Sequence, residues 1–461
     1  MTPEQLFHEL LGLGRQWRVT RCEYAPKEGT ALGELDGVVR LWIEETPELW
    51  SGESSAAGEA VSCYDHVGEE LVWRHLDVFE HRCEIRCRLP RGQRTTDGKV
   101  HRVTPPWEGL AKHFTQGFEA MVLLLLRQMP VAAVARHVGE TDTRLWRLLH
   151  AHVAAAWPKV DWSGVVCVGC DELSVRKGHH YVSVFCDLIG KRVLFATPGK
   201  DAATWAAFVA ALGEHNGHPR AITEVSIDMS PAYIAGVREN LGAQAVVVFD
   251  KFHVIMHANC GVDETRRAEC TQAEGAAREQ LKQTRWILLK NPANHTAKQA
   301  TRYVGLLKSN LASVKAHQMR LILQAIYASP DAVLARRKLR AWCRWVRWTA
   351  GQHAVALFAA MVKTARMIER HLDGVMAHWL HHTTNAFLEG INSVFSAVKR
   401  KARGFRSTKN LITMLYFTAD LSSCRLPIEN SEEPGLVYVP LPRLQMVEAL
   451  RAVSAAGSVV A

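Results

Sequence analysis

The 461-residue sequence predicts an α/β fold, and three apolar runs carry the prediction. Val165–Asp171 reads VVCVGCD, Ile222–Ile227 runs straight into Asp228, and Ala245–Phe249 runs into Asp250. Short β-branched runs bounded by polar residues form strands buried on both faces. Each of these ends on an aspartate, so the backbone would hold three carboxylates at one edge. Such a cluster of hard oxygen donors suits a divalent metal ion.

Composition sets the frame for these strands. A hydrophobic fraction of 48% with 22% charged residues is that of a core-forming chain, and the length allows three or four domains. The opening Met1–Arg15 is a short amphipathic helix, and MVLLLL at Met121–Leu126 is too short to span a bilayer. A soluble cytoplasmic protein with no membrane partner is expected. The net charge of +10 favours a polyanionic partner, and eleven scattered cysteines suggest reduced thiols.

In chain order, residues 1–60 form an N-terminal segment with no clear pattern. Residues 61–110 read as a small, zinc-ribbon-like β module. Cys63 and His66 have the spacing of a zinc knuckle, and Cys83 with Cys87 could complete four ligands. The other reading has Cys83 and Cys87 simply alternating along a strand, and RGQRTTDG (Arg91–Gly98) supplies no second thiol pair. Residues 111–158 read as a helix-turn-helix. A helix in Met129–Gly139 ends at glycine, and a second begins at Thr141 or Asp142 with Thr143, Arg144 and Arg147 exposed as DNA contacts. Two helices of an ordinary bundle would show the same pattern.

Residues 159–255 hold three strand-like runs, then helix Asp201–Leu212, strand Ile222–Ile227, helix Pro231–Leu241 and strand Ala245–Phe249. Three antiparallel strands followed by alternating helix and strand describe a ribonuclease H-like domain. Cys167 and Cys170 would face opposite sides of a strand, which discounts a redox pair. Residues 256–379 read as a large all-α insertion. Within it, Arg336, Arg340, Arg344 and Arg347 share one helical face, with Trp342, Trp345 and Trp348 on the adjacent one. The arginines could bind phosphate or form a solvated face; the tryptophans read as core. Residues 380–425 hold a last helix on which Asn385, Glu389, Asn392 and Ser396 form a polar stripe between Phe387, Ile391, Val394, Phe395 and Val398. That helix leads into Lys399, Arg400, Lys401, Arg403 and Arg406, a basic cluster suited to DNA. The tail, 426–461, carries no clear signal.

The phrases VGCDELSVRKGHHYVSV, VSIDMSPAYIAGV, VVVFDKFHVI and TTNAFLEGINSVFSAVKRKARGFRS, in this order, resemble the ISL-three family of bacterial insertion-sequence transposases. WRHLDV, LPR and PPW ahead of the helix-turn-helix match its N-terminal arrangement, so the resemblance covers about Cys63 to Asp420. It implies a DDE transposase that binds terminal inverted repeats and target DNA, cuts 3′ ends and joins them. Carried over position by position, the catalytic and metal-binding triad is Asp171, Asp228 and Glu389. Asp250 and His253 match a supporting motif, and Asn385 and Asn392 stand beside the triad as further supporting residues. Two Mg²⁺ ions, with Mn²⁺ able to substitute, are the implied cofactor, and a homodimer or larger assembly is implied in the DNA complex. The family's second zinc pair after LPR is missing here, which puts Zn²⁺ at Cys63 and His66 in doubt.

Other acids compete for the site. Glu172 should point to the face opposite Asp171, and Asp187 ends the second strand. The His253/His257 and His378/His381/His382 spacings also suit a metal, although such histidines are more often structural. Two further functions share these features: a DNA-binding regulator that kept the fold without catalysis, and a ribonuclease or junction nuclease.

Overall fold

A computed structural model describes residues 1–26, 37–51, 61–79, 81–94, 97–176, 180–352, 355–381 and 386–419. These divide at Ala155/Ala156 into two compact units.

The first unit opens with α1 (Pro3–Leu11), whose N-terminus is closed by a reciprocal Thr2–Gln5 capping box. Seven strands follow: β1 (Trp17–Pro26), β2 (Gly37–Glu45), β3 (Val61–His66), β4 (Leu71–Val78), β5 (His81–Cys87), β6 (Pro90–Arg94) and β7 (Val100–Arg102). They form two sheets, ordered β1-β2-β5-β4 and β3-β6-β7. Strand β2 runs parallel to β5, with Val38 opposite Arg82 and Trp42 opposite Arg86. Residue 60 is therefore not a fold boundary, contrary to the sequence reading, because one sheet takes strands from both sides of it. The alternation of buried Val39, Leu41 and Ile43 with half-buried Val38, Arg40 and Trp42 gives β2 its inner face.

Three helices complete this unit: α2 (Gln116–Gln128), α3 (Val131–His137) and α4 (Asp142–Ala156). The MVLLLL run lies in α2 and buries Val122, Leu123 and Leu126. Between α3 and α4 the chain turns at Gly139, whose φ of +66° needs a residue without a Cβ. Thr141 then caps α4, its hydroxyl accepting from the Arg144 N–H at 3.4 Å. Arg74, 2% exposed, ties the sheet to this turn. Its guanidinium donates to the Val138 carbonyl at 3.3 Å and faces Asp77 at 2.5 Å and Glu140 at 3.7 Å.

The second unit centres on a five-stranded sheet. It contains β8 (Cys167–Arg176), β9 (His180–Asp187), β10 (Arg192–Pro198), β11 (Glu224–Ile227) and β12 (Val246–Phe249), in the order β10-β9-β8-β11-β12. The first three are antiparallel, and β8, β11 and β12 are parallel. Helices α5 (Ala202–Glu214) and α6 (Pro231–Asn240) connect β10 to β11 and β11 to β12. Their residues Trp205, Phe208 and Tyr233 share a core with Val168, Cys170 and Phe185. On the other face, Leu173, Val182, Val184 and Cys186 pack with Leu388, Phe395, Leu411 and Leu415. Those four come from α15 (Ala386–Lys401) and α16 (Thr408–Ala419).

Between β12 and α15 the described chain is helical: α7 (Lys251–Gln272), α8 (Gly275–Leu281), α9 (Arg285–Leu289), α10 (Ala297–Leu307), α11 (Ala312–Ile326), α12 (Ala332–Gln352), α13 (Ala359–Arg370) and α14 (Leu372–His381). Their core is continuous with the sheet's: Val254, Ala258 and Val262 of α7 join Met319, Leu339, Trp342 and Met361. Among the described residues no helix is long and apolar enough to cross a membrane.

Candidate active site

Strand register brings the aspartates together. Gly169 pairs with Ser226 and Ile227 with Phe249. Asp171, Asp228 and Asp250 follow these last pairs by one or two residues, at the same end of the three parallel strands, close enough for Asp171 to feel the charge of both others. Asp171 does not end its strand as the sequence suggested. It sits mid-β8, opposite Val184, because β8 keeps pairing with β9 as far as Arg176. What ends near Asp171 is the parallel partner β11, and that exposes an edge for the acid to occupy.

Each side chain is held. Asp171 accepts from the Glu172 N–H at 2.7 Å with one oxygen and from the Asn392 amide at 2.6 Å with the other. Asp228 accepts from the Ser230 N–H at 2.9 Å, in the turn that starts α6. Asp250 caps α7 through the Phe252 N–H at 3.2 Å, while its second oxygen is buried without a hydrogen-bond partner. One turn into α7, His253 Nε2 lies 3.9 Å from Asp171 and 4.0 Å from Asp250. Gly169 allows α15 to reach β8, since a Cβ there would lie 2.5 Å from Leu388 Cδ1. Asn392 therefore reaches Asp171, and Glu389 lies one turn earlier on the same helix. Asn385 falls outside the described residues.

The acids repel one another. Burial pushes the Asp171 carboxyl above its usual range, and Asp228 adds to the rise while His253 and Asn392 oppose it. Asp250 is raised by burial and by Asp171. Glu389 is raised by burial, then by Asp250 and Asp171. Glu172 lies across the strand, 3.9 Å from Lys200, and burial raises it too. Asp187 is occupied elsewhere: it accepts from the Ile189 and Gly190 N–H groups and pairs with Arg192 at 3.3 Å.

The triad is not drawn to ligand-sharing distance. Among the described residues, the His/Cys/Asp/Glu group whose donor atoms all lie within 4.8 Å of one another is Glu45, Cys63 and His66. Glu45 was missed in the sequence because it ends a strand in a segment read as patternless. Cys83 and Cys87 do not complete that group. They are 0% and 2% exposed, alternating with Ile85 on the buried side of β5 in the other sheet. Glu45 instead hydrogen-bonds His66 at 2.6 Å.

The other histidines have structural partners. His381 contacts Glu224 at 2.9 Å, and the His378 ring meets Tyr327. His382 lies outside the described residues.

The basic candidates differ in exposure. Thr143 and Arg147 are exposed on α4, whereas Arg144 pairs with Glu140 and lies over Phe114. On α12 the arginines face solvent: Arg336 meets Asp373 at 3.5 Å and Arg347 meets Glu369 at 2.5 Å. Arg340 and Arg344 are exposed. The tryptophans do not form one core face. Trp342 is 2% exposed and donates to the Met319 carbonyl, while Trp348 is 63% exposed. Steps of three residues drift by about 60° on a helix, which carries Trp348 out of the core. Val394, expected to pack, is likewise exposed, and Leu388 and Phe395 form the buried side of α15. Lys399 donates to the Ser174 carbonyl at 2.6 Å, and Arg400, Lys401, Arg403 and Arg406 are exposed.

Comparison with known proteins bears on this arrangement. A family model described as a transposase, the ISL3 DDE domain, matches residues 168–415. A second, the helix-turn-helix domain of transposase family ISL3, matches residues 112–153. The transposase for insertion sequence element IS1001 of Bordetella parapertussis is 30% identical over 342 residues, covering 72% of this chain and 80% of that protein. The transposase for insertion sequence element IS1557 of Mycobacterium tuberculosis is 27% identical over 442 residues, covering 90% of this chain and 95% of its own length. A helix-turn-helix unit joined in one chain to a DDE unit is the make-up of an insertion-sequence transposase. The chain belongs to the ISL3 family of transposases.

Proposed function

We propose that the protein binds the terminal inverted repeats of its own element, cuts the 3′ ends and joins them to target DNA. The observation that supports this best is the gathering of Asp171, Asp228 and Asp250 at one end of the parallel strands, with α15 anchored to Asp171 through Asn392. The strand order β10-β9-β8-β11-β12 supports a ribonuclease H-like reading of residues 159–255, with residues 256–379 inserted before the last helix.

Transposases with DDE domains generally use divalent metal ions, and the residues here fit one. Repelling carboxylates share an edge, and a buried Asp250 oxygen has no hydrogen-bond partner. Asp171, Asp228 and Glu389 would hold two Mg²⁺ ions, or Mn²⁺ in their place, with Asp250 in support. Bound ions would supply a lowered water pKa on one side of a phosphodiester and charge stabilisation on the other.

The chain's own groups do the rest. Asn392 and the Glu172 N–H fix both oxygens of Asp171, so the carboxylate needs no reordering when substrate arrives. His253, between Asp171 and Asp250, is placed to hold a proton at Nε2. Water attacks first at the element's end, and the freed 3′-hydroxyl then attacks the target. No covalent link to the protein is needed. Arg340, Arg344, Arg400, Lys401, Arg403 and Arg406 would bind phosphates, with Arg336, Arg347 and Lys399 alongside. Thr143, Arg147 and Arg144 would meet the end sequence.

Two ends joined to one target call for at least a dimer on DNA. The work would be done in the bacterial cytoplasm, on nucleoid DNA.

The test is cleavage and filter binding of end DNA by purified variants. Asp171→Ala, Asp228→Ala and Glu389→Ala should each lose cleavage by at least about a thousandfold, with end binding within about threefold of wild type. Normal cleavage by any of the three would remove that residue from the triad.

A further inference from the structure

A groove of about 980 Å³ runs beside β12, away from the carboxylates. Its floor is apolar, from Val246, Val247 and Phe249 of β12 and Ile234 of α6. One end lies at Phe249, the residue before Asp250. The opposite wall is α14, which approaches closely because Gly374 has no side chain: a Cβ there would lie 2.4 Å from the Phe249 ring.

Its charge is lopsided. Arg238 projects from α6 and Arg370 from the end of α13, and both are exposed lining residues. Neither has a carboxylate within 4.0 Å among the described residues, whereas other arginines such as Arg86, Arg192 and Arg347 are ion-paired. His371 lines the same groove, and its ring packs edge-on against Phe249 at 5.3 Å. Burial, then Arg370 and Arg238, push the His371 pKa down, so the imidazole favours its neutral form. Among the described residues the groove's one lining acid, Asp373, is 96% exposed and lies 3.5 Å from Arg336.

We propose that this groove binds a single strand of DNA, with Arg238 and Arg370 on consecutive phosphates and the β12 floor beneath sugars and bases. The inference rests on the transposase reading and adds a strand path leading from the carboxylate edge. Cations along a trough with an apolar floor are what single-strand binding needs. Arginine's fork of N–H donors suits phosphate oxygens, and both arginines line the groove and are exposed. A duplex keeps its bases stacked inside, whereas a single strand can lay sugars and bases on an apolar floor, so a single strand fits better.

The experiment measures binding of the full-length protein to a short single-stranded oligonucleotide across a salt series. Arg238→Ala/Arg370→Ala should weaken binding about tenfold at 0.1 M salt and flatten the log–log salt slope by about 1.4, for two lost phosphate contacts. Arg238→Lys/Arg370→Lys should keep most of the slope. Lys159→Ala/Arg220→Ala, exposed cations outside the groove, should change little. End-DNA cleavage by the same preparations separates the outcomes. A wild type that cuts DNA, with an alanine pair whose slope is unchanged, overturns the groove assignment alone. A wild type that neither binds nor cuts DNA overturns both readings.

Discussion

At the residue scale, the site consists of groups the fold holds at some cost. Asp171, Glu172, Asp250 and Glu389 are all raised above the usual carboxylate range, first by burial. Their ionised forms are therefore less favourable in the folded protein than in the unfolded chain. Their contribution to stability is full below the ordinary carboxylate range and is lost as pH rises through the raised values. Without divalent ions the protein should be less stable at pH 7 than below the ordinary carboxylate range, as far as these groups decide it. Asp250→Asn should raise the melting temperature at pH 7 by about 2–4 °C, the shift that roughly 1 kcal/mol gives in a domain of this size. Mg²⁺ should raise the melting temperature of the wild type and do less for Asp250→Asn. Thermal scans with and without Mg²⁺ check both, and an equal Mg²⁺ response would detach Asp250 from the site. Asp171, Asp228 and Asp250 were legible in the sequence because an aspartate closing an apolar run stands out. Glu45 and Arg74 were not, since their partners lie on other strands and no local pattern marks a long-range pair.

At the element scale, two contacts decide where the helices sit. Gly169 lets α15 lie on β8, and a larger side chain would meet Leu388 and Leu188, at 2.5 and 2.7 Å from its Cβ. Gly169→Val should cost about 1–3 kcal/mol by overpacking and slow cleavage far more than it weakens end binding. Urea unfolding and end cleavage read the two effects. In the first unit, Glu140 is buried against Arg74, with Arg82 at 3.3 Å. Arg74→Ala should cost about 3 kcal/mol, because it leaves a buried carboxylate short of its partner. Equilibrium unfolding checks this, and a loss under about 1 kcal/mol would mean that Arg82 and Arg144 suffice. The order of strands and helices in the second unit could be read from periodicity. The parallel pairing of β2 with β5 could not, because pairing across residue 60 leaves no mark in either strand. The exit of Trp348 from the core follows from helical drift over two steps, which a coarse wheel hides.

At the scale of the whole molecule, the helix-turn-helix match lies in the first unit and the DDE match in the second, and the proposed function gives the two units separate tasks. The account separates them. Arg147→Ala, on the exposed face of α4, should weaken binding to end DNA about tenfold and lower its preference over random duplex. Metal-dependent nicking of DNA at high protein concentration should persist. Competition binding measures the preference, and an unchanged preference would move end recognition away from α4.

The most direct measurement is cleavage of the element's own end DNA with Mg²⁺, comparing wild type with Glu389→Ala. The account predicts cutting that requires both the metal and Glu389, with end binding the same for the two proteins. Tight binding with no cutting by either protein would contradict it and leave a DNA-binding regulator built on a transposase fold.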